Sequence, residues 1–294
     1  MNARLPLKTK ELKELHRLRS FKHGNPGLAA HVAHQQRQAD SQDPEIQRAW
    51  FHAMKEVFEE INKYIWRVPF STSFEFLDVG CCPGGFSSYL LSHYPLSQGT
   101  GISLPVGKGG HELLLEEDLR SRFNLIWADI TLFDLRNENR FIPHGWNQSI
   151  FTPFPFPPDH NGFGLVILDG HPLRTQASAT GGSQDVHALG DRLLISSLIF
   201  GMFSIRNGGT IIMKLSMPDR KITAQMMYLF DILAEDIRTW KPVNIHAIQS
   251  TFYVIARNFG GGIFSDRYPW IMMKLRNLWE IDGWRRGGCE VKEG

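Results

Sequence analysis

The 294 residues are 42% hydrophobic and 21% charged, enough to bury one sizeable core, so one domain with extensions is expected rather than two. A net charge of +2 excludes a chain that meets nucleic acid through overall basicity, and no apolar run approaches the roughly 18 residues needed to cross a bilayer. Three cysteines, two of them adjacent at Cys81 and Cys82, exclude a disulfide framework; the polar N-terminus carries no secretory signal, and an intracellular protein of cytoplasm or nucleus is expected.

In chain order, a helical segment over 9–20 lies in a basic stretch. Arg4, Lys8, Lys10, Lys13, Arg17, Arg19 and Lys22 stand there against Glu11 and Glu14, as a face for phosphates or as a solvated helix face. Gly24-Asn25-Pro26-Gly27 breaks it. Asp43-Pro44 reads as an N-cap followed by a first-turn proline. From there Ile46, Trp50, Met54, Val57, Phe58, Ile61 and Ile65 recur at helical spacing and predict a core-facing helix.

From Phe74 strands and helices alternate. Strands are predicted over 76–79, 99–104, 123–127, 164–168 and 210–215, with helices over 84–93, 185–205 and 222–240. Residues 243–248 and 251–256 read as a closing antiparallel hairpin. This is the pattern of an α/β fold with a mostly parallel sheet and helices on both faces. Three stretches fall outside it: the Pro- and Phe-rich 139–162, the small polar 173–184, and the tail after Gly260 with Trp270, Trp279, Trp284, Arg276, Arg285 and Arg286. The expected organisation is a basic helical extension over 1–42, a main domain over 43–258 and an aromatic, basic extension over 259–294. No metal centre is expected, and nothing indicates an oligomeric state.

The run Asp78-Val79-Gly80-Cys81-Cys82-Pro83-Gly84-Gly85-Phe86 follows the first strand and opens a helix. Glycines there let the backbone turn sharply and approach a ligand closely, at the carboxyl end of a strand where open α/β sheets bind ligands. The spacing is not the Gly-x-Gly-x-x-Gly of dinucleotide folds, and no Gly-Lys-Ser/Thr of a phosphate loop is present. A cofactor loop is predicted.

This run resembles motif I of the FtsJ-like 2′-O-ribose methyltransferases, which include ribosomal RNA and mRNA-cap enzymes, and the resemblance extends over roughly 45–258. It implies a Rossmann-like methyltransferase fold with a seven-stranded sheet and S-adenosylmethionine as cofactor. Implied cofactor contacts are Asp78, Gly80, Cys81, Pro83, Gly84, Gly85 and Phe86 in the loop. Asp129, joined by Ile130, matches the acid that meets the adenine amino group, the alternative being a helix N-cap. Ser103 stands where many methyltransferases carry an acidic ribose ligand, with residues 107–112 as a substitute.

Methyl transfer from a sulfonium is an in-line displacement, so an enzyme's work is largely placement, and a ribose hydroxyl benefits from a positioned base or lysine. The family uses a Lys-Asp-Lys-Glu tetrad. By resemblance Asp169, in Asp169-Gly170-His171-Pro172, is its Asp and Lys214 its central Lys; Asp169 is also counted among the cofactor contacts. On physical grounds too, a lysine in an apolar strand demands a partner such as Asp169. His52 occupies the first Lys position, but it points away from the apolar stripe, so Lys55, one turn on and nearer its flank, is the expected counterpart. Thr251 stands where the final Glu is expected, and His171 is an alternative base.

Three readings follow. An O-methyltransferase acting on RNA ribose is favoured by the family, the basic N-terminus and the exposed aromatics. A methyltransferase acting on a small molecule would use 151–158 as an apolar wall. A degenerate binding or assembly protein would account for the altered tetrad.

Overall fold

The computed structural model describes residues 9–64, 73–136, 151–157, 159–172, 183–247 and 249–286. Three helices open the chain: α1 (Lys10–His23), α2 (Pro26–Ala39) and α3 (Pro44–Tyr64). There follow β1 (Glu75–Val79), α4 (Gly85–His93), β2 (Gln98–Ser103), β3 (Phe123–Trp127), β4 (Phe163–Leu168) and α5 (Ser183–Ser204). The chain closes with β5 (Ile205–Ser216), α6 (Lys221–Leu233), β6 (Ala234–Trp240), β7 (Thr251–Phe259) and α7 (Tyr268–Arg286). The described residues form one seven-stranded sheet in the order β3-β2-β1-β4-β5-β7-β6. The pairs from β3 to β5 are parallel, and β7 runs antiparallel to both β5 and β6. Among the described residues no helix is long and apolar enough to cross a membrane.

Period-two alternation divides the core between two faces. Leu77, Val79, Val166, Leu168, Ile211 and Met213 pack with α5, α6 and α7; Phe76, Leu165, Ile167, Ile212 and Tyr253 pack with α3 and α4. The Asp43 cap is in place, its Oδ1 accepting from the Glu45 amide at 2.8 Å. Val57, Phe58 and Ile61 of the predicted stripe are buried, whereas Trp50 and Met54 turn toward a cavity; Ile65 lies outside the described residues.

Three expectations are corrected. The helix over 222–240 ends at Leu233, and the remaining residues form the edge strand β6. Of the strand expected over 243–248, residues 243–247 run in bends and a turn and 248 lies outside the described residues, so β6 is the partner of β7. Residues 206–209, left between the predicted helix over 185–205 and the predicted strand over 210–215, lie inside β5, where the pairing with β4 shifts register between Phe163↔Ile205 and Leu165↔Thr210. α2 has no counterpart among the predicted elements; Asn25 caps it by accepting from the Leu28 amide at 3.1 Å.

The C-terminal α7 is part of the packed body. Trp279, 1% exposed, donates its indole N–H to Ser196 Oγ at 2.9 Å, and Tyr268 donates to the Met202 carbonyl at 2.8 Å. Trp284, Arg285 and Arg286 have no described side chains.

Candidate active site

The strand order reverses between β1 and β4, and two adjoining cavities open there at the carboxyl ends of the strands. The first lies over β1, β2 and β3 and is lined by Gly80, Ile102, Ser103, Ala128, Asp129 and Ile130. The second lies toward β4, β5 and α3, with Trp50, Pro83, Asp169, Lys214, His246 and Thr251 in its wall. Gly80, Cys82, His111 and His171 line both, so they form one trough.

The loop after β1 divides into residues that face this trough and residues that support it. Gly80 has φ +81°, and a Cβ there would sit 2.6 Å from the Gly170 Cα, so glycine alone lets the β1 and β4 ends meet. Pro83 lines the second cavity. Asp78 does not line either: it is buried beneath the loop, with Oδ2 accepting from Ser87 Oγ at 2.7 Å and Oδ1 without a hydrogen-bond partner among the described residues. Burial, with the Asp169 charge adding to it, pushes the Asp78 carboxyl up to about 7 despite the Ser87 hydrogen bond.

Cys81 is buried behind the trough, and burial raises its thiol well above the usual range. Gly84 and Gly85 start α4, where a Cβ on Gly85 would lie 2.4 Å from the Phe51 carbonyl of α3. Phe86 packs edge-on against Phe58 and Tyr253 at 5.3 and 6.0 Å. Of the predicted loop contacts, then, Gly80 and Pro83 reach the trough, joined by Cys82, which sequence reasoning omitted.

Ser103, Asp129 and Ile130 reach the first cavity. Asp129 is also a cap: its Oδ1 accepts from the Thr131 amide at 2.9 Å and from Thr131 Oγ1 at 2.7 Å. Gly110 and His111 of the expected substitute segment border the same cavity.

Asp169 and Lys214 come together at the second cavity. Lys214 Nζ lies 3.2 Å from Asp169 Oδ1 and donates to the Asp169 carbonyl at 2.5 Å. A third group joins them: Tyr253, opposite Lys214 in the β5–β7 register, donates its hydroxyl to Asp169 Oδ1 at 2.7 Å. Burial and the Asp169 carboxylate push the Tyr253 phenol well above its usual range, so it remains a donor.

Lys55 is not brought to this pair. Its Nζ is held by Glu116 Oε1 at 2.9 Å, an oxygen that also accepts from Ser88 Oγ at 2.9 Å. Burial opposes ionisation of Glu116, but these two donors outweigh it and hold the carboxyl below the usual range. Lys55 therefore ties α3 to α4 and to the chain before β3. His52 is exposed, against the Phe51 ring. In the place expected for the first tetrad lysine, α3 offers the cavity Gln47, Trp50 and Met54. His171 borders both cavities, its Nε2 3.7 Å from Asp40 Oδ1 at the end of α2, and Thr251 lines the second.

His246 was missed from sequence because 243–248 read as a strand. It is buried in the cavity wall, with Nδ1 donating to Gln249 Oε1 at 3.2 Å. Burial first, and the Lys214 charge second, push it down to about 4, so the ring is neutral at ordinary pH. The turn carrying His246, Gln249 and Thr251 is held by Lys241, whose ammonium donates to the carbonyls of His246, Gln249 and Thr251 at 2.8, 2.6 and 3.0 Å. None of the described residues 151–157 of the expected apolar wall over 151–158 lines either cavity: Phe154 packs on Phe200 at 4.7 Å and Phe156 on Phe163 at 5.0 Å, on the α5 side of the sheet.

A family model, that of the FtsJ-like methyltransferases, matches residues 48–259, from the first turns of α3 to the end of β7. Among solved structures, the chain is similar to a protein described as a ribosomal RNA methyltransferase from Plasmodium falciparum, at 17% identity and a TM-score of 0.44 over 70% of this chain and 96% of that one. It is also similar to an O-methyltransferase family protein from Burkholderia thailandensis, at 13% identity and a TM-score of 0.41 over 76% of this chain and 62% of that one. No curated protein matches the chain by sequence.

Proposed function

Because the chain belongs to the FtsJ-like methyltransferase family, and so is an S-adenosylmethionine-dependent methyltransferase, we propose that its acceptor is a ribose 2′-hydroxyl of RNA. The observation that carries the proposal is the Asp169–Lys214 pair, standing where a cofactor trough opens into a second cavity.

The residues of the first cavity fit the cofactor. Ile102, Ala128 and Ile130 offer apolar surface to a flat base, Asp129 keeps Oδ2 as an acceptor for an amino group, and the Ser103 hydroxyl suits a ribose. Bound there, the cofactor supplies a methyl group made electrophilic by its sulfonium. The protein's part is placement. An ammonium has three N–H donors; Lys214 donates to the Asp169 carbonyl and pairs with its carboxylate at 3.2 Å, which leaves donor capacity for an oxygen in the second cavity. Tyr253 and Lys214 together fix the Asp169 carboxylate, which in turn fixes the lysine. His171, bordering both cavities, is the second candidate for contact with the acceptor.

The test is transfer of labelled methyl from S-adenosylmethionine to total RNA and to capped transcripts, followed by alkaline hydrolysis, which spares a 2′-O-methylated linkage. Label is expected in alkali-resistant dinucleotides. Lys214→Ala and Asp169→Asn are each expected to reduce it about 100-fold or more while calorimetric cofactor binding persists. Label on bases, or cofactor binding with no transfer to any RNA, would overturn the ribose reading; the latter result favours a cofactor-binding partner subunit.

A further inference from the structure

Trp50 belongs by sequence spacing to the apolar series of α3, yet its indole does not join the core. It is half-buried in the wall of the cavity that holds Asp169 and Lys214. Among the described residues the structure gives it no ring or hydrogen-bond partner, whereas the core indole of Trp279 meets Phe151, Arg192 and Ser196. Met54, one turn further along α3, and Pro83, from the loop after β1, line the same cavity.

This cavity thus offers two chemistries from two sets of elements. α3 and the β1–α4 loop supply mainly apolar surface through Trp50, Met54 and Pro83, the polar Gln47 of α3 accepting from the Glu112 amide. The ends of β4 and β5 and the turn before β7 supply Asp169, Lys214 and His246. A nucleoside has the same division, with a flat base that stacks on aromatic rings and a ribose that hydrogen-bonds. A ribose held at Lys214 brings its base within the same cavity, and the indole of Trp50, without a ring partner among the described residues, is the broadest flat surface in that lining, larger than the imidazoles of His111, His171 and His246.

We propose that Trp50 is the stacking platform for the base of the nucleotide whose ribose is methylated, with Met54 and Pro83 flanking the slot. This rests on the RNA reading and names how that site holds its substrate. A small aromatic acceptor or a purely structural indole are alternative outcomes of the test.

Transfer is measured on an oligonucleotide methylated by the wild-type chain, and on the same oligonucleotide lacking the target base. Trp50→Ala is expected to raise KM for intact RNA about tenfold or more, the loss of one stacked base, with a smaller change in kcat. Trp50→Phe, which keeps a stackable ring, is expected to recover most of that loss. On the abasic oligonucleotide Trp50→Ala and wild type are expected to share one KM. Calorimetric binding of S-adenosylhomocysteine reports the integrity of the trough.

An unchanged KM, an equal loss on intact and abasic RNA, or a parallel loss of S-adenosylhomocysteine binding would overturn the platform while leaving the RNA reading in place. Fluorescence separates the two further. The emission of Trp50, isolated as the difference between wild type and Trp50→Phe, is expected to be quenched by the oligonucleotide. Absence of quenching overturns the platform whether or not methyl is transferred; absence of methyl transfer alone overturns the ribose reading.

Discussion

Two buried titratable residues next to the trough give stability opposite dependences on pH. Asp78 titrates near 7 in the fold against 3.8 when free, so the folded state keeps its proton longer. Its contribution is complete below about pH 4 and is lost as pH rises through 7. Asp78→Asn, which can still accept from Ser87, is therefore expected to gain stability over wild type at pH 8 by a few kcal/mol, at about 1.4 kcal/mol per pKa unit. His246 behaves in the other sense. Its value falls from 6.5 to about 4 on folding, so its contribution is complete above pH 6.5 and lost as pH falls toward 4. His246→Gln is expected to flatten that limb. Thermal unfolding of the three proteins between pH 4 and 8 decides both; parallel curves would sink them. At this scale the pairing of Asp169 with Lys214 was legible, because a lysine in an apolar strand needs a counter-charge. Tyr253 and His246 were not, since a tyrosine in a strand and a histidine in a polar turn carry no local mark of what they face. Lys55 misled because spacing along a helix fixes a direction but not a partner, and Glu116 lies 61 residues away.

At the scale of elements, the parallel strands were legible because each is a short apolar run ended by Asp, Gly or a polar turn. β6 was not: Ala234-Glu235-Asp236-Ile237-Arg238 continues the composition of α6 without a breaker, and its charges suit an exposed sheet edge as well as a helix face. α2 was not, because it carries few large apolar residues to set a period. A contact sensitive to volume is that of α3 with α4, where a Cβ on Gly85 would lie 2.4 Å from the Phe51 carbonyl. Gly85→Ala is expected to destabilise the fold by about 1–3 kcal/mol through overpacking and to weaken cofactor binding by shifting the loop. Denaturant unfolding beside S-adenosylhomocysteine calorimetry checks this, and a variant indistinguishable from wild type in both would refute it.

Across the whole molecule, the family match leaves α1, α2 and α7 outside, yet each is joined to the matched part. Arg19 and His16 of α1 meet Asp219, which is fully buried in the turn between β5 and α6. Arg17 pairs with Glu14, so two cations of the basic N-terminal stretch are engaged within the protein. α7 places Ile271, Met272, Leu275 and Trp279 in the same core as β1 and β4. Trp279→Ala is accordingly expected to cost about 3–5 kcal/mol of global stability, measured by denaturant unfolding. A loss under about 1 kcal/mol would mean that α7 is dispensable to the core. The sequence did not settle whether this tail packs, because its apolar residues show no clean stripe: Trp270 and Leu278 face outward while Trp279 faces in.

The grip of Lys241 on three main-chain oxygens bears on how such a site can diverge. The path of the turn is set mainly through these backbone oxygens, with the His246–Gln249 hydrogen bond an added tie between the side chains it presents. Residues 246, 249 and 251 are thus free to be exchanged like fittings on a fixed rail, with the acceptor preference of the cavity altered and the rail unmoved.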